Sequence, residues 1–233
     1  MLDAVGDPKR FISFLDKEDK IGFKNKDPFR RFWIGDTLLV HALSTEARKV
    51  IIDSSVEINK GTNYDFLIDW LGKGLLTSDG SKWKHRRRIL TPTFHFKTAM
   101  GVKIHAQDNP DQPYINAVQR FAFLADNHFK NIFYKIPFVY YIFGYGFERD
   151  RTLKVLKDFT NDVIKKKTKE FEANSCELKD NTFLSNLLQL KSENKWTDEG
   201  LREEVDTFMF GGHYTTSSAL TYCFWALAHF QDV

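Results

Sequence analysis

The sequence predicts a mainly α-helical fold with one small β element, and three observations carry that expectation. From Gln112 onward the apolar residues recur with a 3.6-residue period through several long runs. Before that point only residues 32–42 (FWIGDTLLVHA) are rich in strand formers. Aromatic side chains are in excess, with 22 Phe, 8 Tyr and 5 Trp in 233 residues. Burying each Phe stabilises by roughly 1.5–3 kcal/mol, so the fold must hide most of them. A thick helical core, or a pocket for an apolar or flat ligand, suits that content.

The elements follow in order. Residues 1–31 are polar and poorly patterned and are expected to form a loop or linker. Gly35-Asp36 interrupts the β-rich stretch, which predicts a short hairpin. Ser44 caps a helix with Ala47, Val50 and Ile51 on one face. Another helix covers residues 64–71 and ends at Gly72. Residues 77–80 form a turn, and Ser81 opens a helix that must stop before Pro92. Helical faces then follow: Tyr114, Ile115, Val118, Phe121, Ala122 and Ala125; Leu153, Leu156, Thr160, Val163, Ile164 and Phe171; and Phe183, Leu184, Leu187 and Leu188. The last helix, residues 198–230, has Thr197 at its N-cap, and Asp198, Glu199, Glu203 and Glu204 suit the positive end of its dipole. No internal repeat is found. Residues 32–233 thus form one helical body with a hairpin, preceded by the weakly patterned start.

Composition excludes several classes. Hydrophobic residues at 42% and charged residues at 28% rule out a disordered chain. A net charge of +3 is too small to argue for nucleic acid. Cys176 and Cys223 form no CxxC pair and point to a reducing compartment. No uncharged apolar run approaches the ~20 residues that span a bilayer. The nearest, residues 136–147 (IPFVYYIFGYGF), is too short and is broken by Pro137, Gly144 and Gly146. Asp3, Asp7, Lys9 and Arg10 interrupt any signal-peptide pattern at the start. Seven histidines show no HExxH spacing, and neither a P-loop nor a nucleophile elbow occurs.

Two segments need a chemical explanation. In residues 81–90 (SKWKHRRRIL), Trp83, Arg87 and Leu90 share a helical face, while Lys84, His85 and Arg88 point elsewhere. An arginine drawn toward the core beside Trp and Leu wants an anion, since an unpaired buried cation is costly. A planar guanidinium beside an indole donor suits a carboxylate. A solvated basic helix with Trp83 as anchor and Arg87 snorkelling explains the same residues. A basic nucleic-acid helix is a third reading, but the rest of the chain lacks a matching stripe.

The second segment is residues 208–220 (FMFGGHYTTSSAL), in the middle of the last helix. Gly211 and Gly212 cost roughly 1 kcal/mol each there relative to alanine. Thr215, Thr216, Ser217 and Ser218 can bond back to preceding carbonyls. Strongly apolar flanks place this weak stretch in the interior. Glycine lets a flat ligand lie against the backbone, and a neighbouring hydroxyl can pass protons to something bound there. A glycine/serine notch for helix packing is the alternative.

Together these segments resemble the cytochrome P-450 monooxygenases, and within them the fourth family, which includes fatty-acid ω-hydroxylases. Residues 65–96 (DFLIDWLGKGLLTSDGSKWKHRRRILTPTFHF) are similar to the family's segment leading into its third long helix, with Trp-x-x-x-Arg present as Trp83 and Arg87. Residues 200–233 are similar to its central oxygen-binding helix. The resemblance implies a partial fold of that family over residues 1–233. It also implies haem b with a propionate held by Arg87 and supported by Trp83, Gly211 and Gly212 beside the ring, and Thr215 near bound oxygen. Lys84 and Arg88 then resemble a docking face for an NADPH-dependent reductase. An apolar, fatty-acid-like substrate and the cytoplasmic face of the endoplasmic reticulum membrane are implied as well. Residues 136–147 would touch the bilayer surface.

Three departures accompany the likeness. The chain stops at Val233, before the family's Glu-x-x-Arg segment and cysteine loop, and neither Cys176 nor Cys223 lies in such a loop; no metal ligand is expected from it. An axial thiolate supplies the electron density for O–O cleavage, so this chain alone is expected to be inactive. Phe96-Lys97 runs straight into Thr98-Ala99-Met100-Gly101, where the family has two further helices. Tyr214 stands where the family has an acid, and Gly211 where many members have a glutamate that can esterify haem. Tyr, with a pKa near 10, is the poorer proton relay. The family's membrane anchor is also expected to be missing. The rival reading is a non-catalytic helical fragment that competes for the reductase through its basic helix; a third is an incomplete chain with no stable product.

Overall fold

The computed structural model describes residues 8–34, 37–91, 112–174, 182–193 and 196–229. Helices dominate: α1 Pro8–Asn25, α2 Thr45–Ile52, α3 Asp65–Leu71, α4 Gly80–Leu90, α5 Pro113–Lys130, α6 Pro137–Ile142, α7 Tyr145–Ala173, α8 Phe183–Ser192 and α9 Asp198–His229. Strands β1 Phe29–Ile34 and β2 Thr37–Ala42 pair antiparallel, with Phe32 opposite Leu39. The predicted class, mainly α with a small β element, is the one observed. The chain segregates into two units, Met1–Phe66 with Gln119–Thr152, and Leu67–Val118 with Leu153–Val233.

In the first unit the expectation of a loop over the first thirty residues fails. Residues 8–25 form α1, whose residues Phe14, Leu15, Glu18, Asp19 and Gly22 turn toward the hairpin at 3–4-residue spacing. Two of those five residues are acidic, which hides the stripe from a hydrophobicity reading. The carboxylates meet partners on the strands. Glu18 accepts from Arg30 at 2.5 Å, and Asp19 lies 3.0 Å from Nδ1 of His41. Phe14 packs edge-on against Phe32, with ring centroids 5.8 Å apart. Ser44 caps α2 as expected, its Oγ accepting from the Ala47 N–H at 3.0 Å. The face expected from Ala47, Val50 and Ile51 is nevertheless not buried: Val50 is 75% exposed. Elsewhere in this unit Phe66 packs on Phe121 and Tyr140, and Arg120 grips Glu148 through two nitrogens. Around the buried Tyr140, Ile136, Phe138, Ile142, Phe143 and Phe147 remain exposed.

In the second unit the periodic faces read from the sequence are buried. Tyr114, Ile115 and Val118 of α5, Leu153, Leu156 and Val163 of α7, and Phe183, Leu184, Leu187 and Leu188 of α8 form the core with Leu201, Val205 and Met209 of α9. Tyr114 stacks on Phe159 at 4.2 Å, and Phe183 meets Phe208 at 4.0 Å. Thr182 caps α8 by accepting from the Ser185 N–H. Thr197 caps α9 in the same way, accepting from the Gly200 N–H at 3.0 Å.

Asp206 of α9 is fully buried in this core. Its carboxylate meets Thr160 of α7 at 2.7 Å and Arg202 at 2.9 Å, with the Trp70 indole beside it. Burial raises its pKa from 3.8 to about 6, against the pull of Thr160 and Arg202. The geometry accommodates the acid form. Thr160 has one hydroxyl proton, and the Leu156 carbonyl also lies 3.1 Å from its oxygen. A protonated Asp206 can donate to Thr160, which then donates to Leu156. A raised folded-state pKa means that this group's contribution to stability is complete below about pH 4 and is lost as pH rises through about 6. Asp206→Asn keeps the volume without the titration. The unfolding free energy of the variant relative to the parent should therefore rise between pH 4 and pH 7, by on the order of 3 kcal/mol, in urea titrations at each pH. A pH-independent difference would contradict the assignment.

Candidate functional site

Both segments singled out in the sequence lie in the second unit, on α4 and α9. α4 begins one residue earlier than predicted, at Gly80, and ends with Thr91 donating its hydroxyl to the Arg87 carbonyl at 2.6 Å. Its orientation differs from the expectation. The arginine turned into the core is Arg86, not Arg87. Arg86 and Leu90, one turn apart, form the buried face. Arg87 is exposed, and its guanidinium lies 5.1 Å from the centroid of the half-buried Trp83 ring. Lys84, His85 and Arg88 are exposed as predicted.

The reason for the rotation lies more than a hundred residues away. Glu203 and Glu204 are buried, and each carboxylate takes one nitrogen of the Arg86 fork. Glu203 also accepts from the Lys73 N–H at 2.6 Å and lies 3.4 Å from the Lys82 ammonium. Glu204 accepts from the Leu75 N–H at 3.1 Å. The Trp196 ring covers the guanidinium at 5.4 Å. These glutamates stand beyond the first turn of α9, so the expectation that they serve its dipole is replaced by direct pairing. The turn supplying the N–H groups comes so close that side chains are excluded. At Gly72, with φ +56°, a Cβ would stand 2.6 Å from the Glu203 side chain; at Gly74 it would meet the Thr207 hydroxyl.

Burial pushes against ionisation of both glutamates, but the net outcome differs with their partners. For Glu203 the Lys73 N–H, Arg86 and Lys82 outweigh desolvation, leaving the pKa below the ordinary value. For Glu204 desolvation wins over Arg86 and the Leu75 N–H, and the neighbouring Glu203 charge adds to the rise.

α9 runs on past this cluster. Glu204, Gly211 and Thr215 are seven and four residues apart, so the glycine continues the stripe that faces α4 about 10 Å further along. Among the described residues, nothing lies within 4 Å of where a Cβ on Gly211 or Gly212 would stand. Thr215 donates its hydroxyl to the Gly211 carbonyl at 2.5 Å. This stretch was expected in the interior and is instead open. Thr215 is exposed, and beyond it Leu220, Tyr222, Phe224, Trp225 and Leu227 are each at least 52% exposed. The apolar flanks misled because they surround the helix on all sides and do not mark one buried face.

The two segments thus offer separate features: on α4 a guanidinium beside an indole, and on α9 a glycine backbone with a hydroxyl one turn away. Sequence reasoning missed Arg86, Glu203, Glu204, Gly72 and Gly74. An adjacent Glu-Glu pair beyond the first turn, flanked by the apolar Leu201 and Val205, was the available signal.

The family model described as Cytochrome P450 matches residues 21–100 and 96–233. This chain belongs to the cytochrome P-450 family. Human "Cytochrome P450 4V2" is 32% identical over 264 aligned positions, which take in 88% of this chain and 50% of that protein. "Cytochrome P450 4d2" of Drosophila melanogaster is 29% identical, covering 97% of this chain and 57% of that one. Among solved structures, the one titled "Crystal structure of cytochrome P450DA heme domain" superposes with a TM-score of 0.64 at 15% identity, over 95% of this chain and 56% of that one. The chain thus spans about half the length of the P-450 relatives it matches. The family match divides at residues 96–100, where Phe96-Lys97 meets Thr98 to Gly101. That junction lies outside the described residues, as do Cys176 and the Gly35-Asp36 pair expected to form the hairpin turn.

Because Gly211 and Gly212 have open space around them among the described residues, a methyl group there meets no described neighbour. Gly211→Ala and Gly212→Ala should each raise the stability of the chain by roughly 0.5–1 kcal/mol, read as a higher urea midpoint. Destabilisation by either would mean that the glycines serve the fold itself.

Proposed function

We propose that this chain provides the third-helix and central-helix portion of a haem-dependent monooxygenase that inserts one oxygen atom from O2 into an apolar, fatty-acid-like substrate, with electrons from an NADPH-dependent reductase. Two separate observations support the reading: an exposed Arg87 beside the half-buried Trp83 ring on α4, and the open Gly211-Gly212 backbone on α9. Membership of the P-450 family supports it. The residues present fit a haem: Arg87 and Trp83 offer donors for a propionate, and the glycines leave room for a planar ring. Bound haem would supply an iron centre for oxygen activation. Thr215 would hold a proton at Oγ1, which now engages the Gly211 carbonyl.

Three further roles belong to the same proposal. Lys84 and Arg88, exposed on α4, form the face for an acidic reductase. The exposed Phe138, Ile142, Phe143 and Phe147 rest on a bilayer surface, with the endoplasmic reticulum as the site of action. Among the described residues no helix is long and apolar enough to cross a membrane. Cys223 lies free and exposed on α9, eight residues beyond Thr215, and does not act as the axial thiolate. The chain by itself is then not a competent oxygenase.

Haemin titration of the chain tests the reading. Arg87→Ala should weaken uptake at least tenfold while the far-ultraviolet circular dichroism stays unchanged. The reduced carbon monoxide complex should lack a thiolate-type Soret band. Uptake indifferent to both Arg87 and Trp83 would remove the proposed site. The competing reading, a reductase-binding fragment, rests on the same exposed Lys84 and Arg88. It gains if reductase binding persists without haemin and is lost in the double variant Lys84→Glu, Arg88→Glu.

A further inference from the structure

We propose that Arg86, Glu203 and Glu204 are positioning residues that select which of three consecutive arginines enters the core, and thereby turn Arg87 and Trp83 outward for a ligand carboxylate. The sequence Arg86-Arg87-Arg88 gives α4 three possible rotations, each about 100° from the next. Hydrophobicity does not choose among them, since Trp83, Ile89 and Leu90 spread over more than one face. The twin glutamates do choose. They present four carboxylate oxygens, of which two are met by the N–H groups of Lys73 and Leu75 and two by the fork of a single guanidinium. Lys82, one turn before Arg86, adds its ammonium to Glu203 from the same stripe. Leu90, one turn after, is fully buried. Arg86 and Leu90 define the buried line of α4, with the exposed Lys82 reaching Glu203 along the same stripe, and Arg87 follows as the exposed neighbour.

A buried ion pair seldom adds much net stability compared with well-packed apolar residues, and its best-attested use is to fix register. Here the register at stake is rotational. With α4 turned by one residue, Arg87 would be consumed by Glu203 and Glu204, and the Trp83 edge would lose its cation. The consequence for haem rests on the function proposed above; the selection of rotation does not.

The test uses the full chain with both cysteines replaced by serine and nitroxide labels at Lys84→Cys and Tyr222→Cys, both exposed positions. Double electron–electron resonance then reports the distance between α4 and α9. Arg86→Leu leaves two glutamates seeking a cation. The label on α4 should move by about 8 Å, the chord of a 100° turn on a helix ~10–12 Å across. Should that variant fail to fold, the triple variant Arg86→Leu, Glu203→Met, Glu204→Met replaces the cluster with apolar side chains of similar size. It should fold with the parent's helical content but give a distance distribution at least twice as broad. A distribution unchanged in position and width in the folded variants would overturn the proposal, because a merely structural cluster would alter the melting temperature alone. Haemin affinity separates the two readings. If the parent takes up no haemin while the distances shift as stated, the haem site is wrong and the positioning role stands.

Discussion

A single guanidinium shared by two buried carboxylates governs the architecture of the second unit. Arg86, Glu203 and Glu204 bring the 72–75 turn, α4 and α9 to one point, and all four carboxylate oxygens there have a partner. Desolvating three charges is expensive, and the cluster carries a net negative charge before Lys82 is counted. Two backbone N–H groups offset part of that cost, and the Trp196 ring shields the guanidinium from water. The arrangement tolerates no slack. Gly72 and Gly74 are where they are because a methyl group would strike the glutamate or the neighbouring threonine.

The buried, paired acids explain a contrast within α9. Its N-terminal half carries Glu203, Glu204 and Asp206 yet is largely buried, while its C-terminal half is dominated by large apolar side chains and is exposed. Charge does not exclude a residue from the interior when a cation or a hydroxyl meets it there. Apolar character does not secure burial when nothing packs on the helix. The side chains of this helix therefore divide by the partners they find, not by their polarity.

That division sets what could be learned from the sequence. Helix existence was legible wherever a periodic apolar stripe met a core, as in Tyr114 to Phe121 or Phe183 to Leu188, because the 3.6-residue repeat is a local property. Caps were legible for the same reason, at Ser44 and Thr197. α1 was not legible, because Glu18 and Asp19 occupy its inward stripe and their partners, Arg30 and His41, lie on the following strands. The choice of Arg86 over Arg87 was invisible too. Three adjacent arginines differ only in azimuth, and the azimuth is decided by side chains some 117 residues later in the chain. The residues proposed for the ligand, Trp83, Arg87, Gly211, Gly212 and Thr215, were visible as chemical anomalies. Their exposure depends on tertiary partners that no local pattern records.

The exposed stretch of α9 follows from these constraints. A helix in water is held by intrinsic propensity and by tertiary packing, and packing ordinarily dominates. Up to Met209 the packing is dense. From Gly211 onward propensity falls, through two glycines and a run of Thr and Ser, while contacts fall as well. Thr215 and Thr221 bond back to carbonyls four residues earlier and so compete with solvent for the same backbone groups. The least stable part of the helix thus coincides with its most accessible backbone. A flat ligand lying on Gly211 and Gly212 would bury that backbone and the apolar flank together. It would thereby gain affinity from ordering a segment that the fold leaves weakly supported, whereas alanines at the same positions would support the segment and deny the ligand its approach.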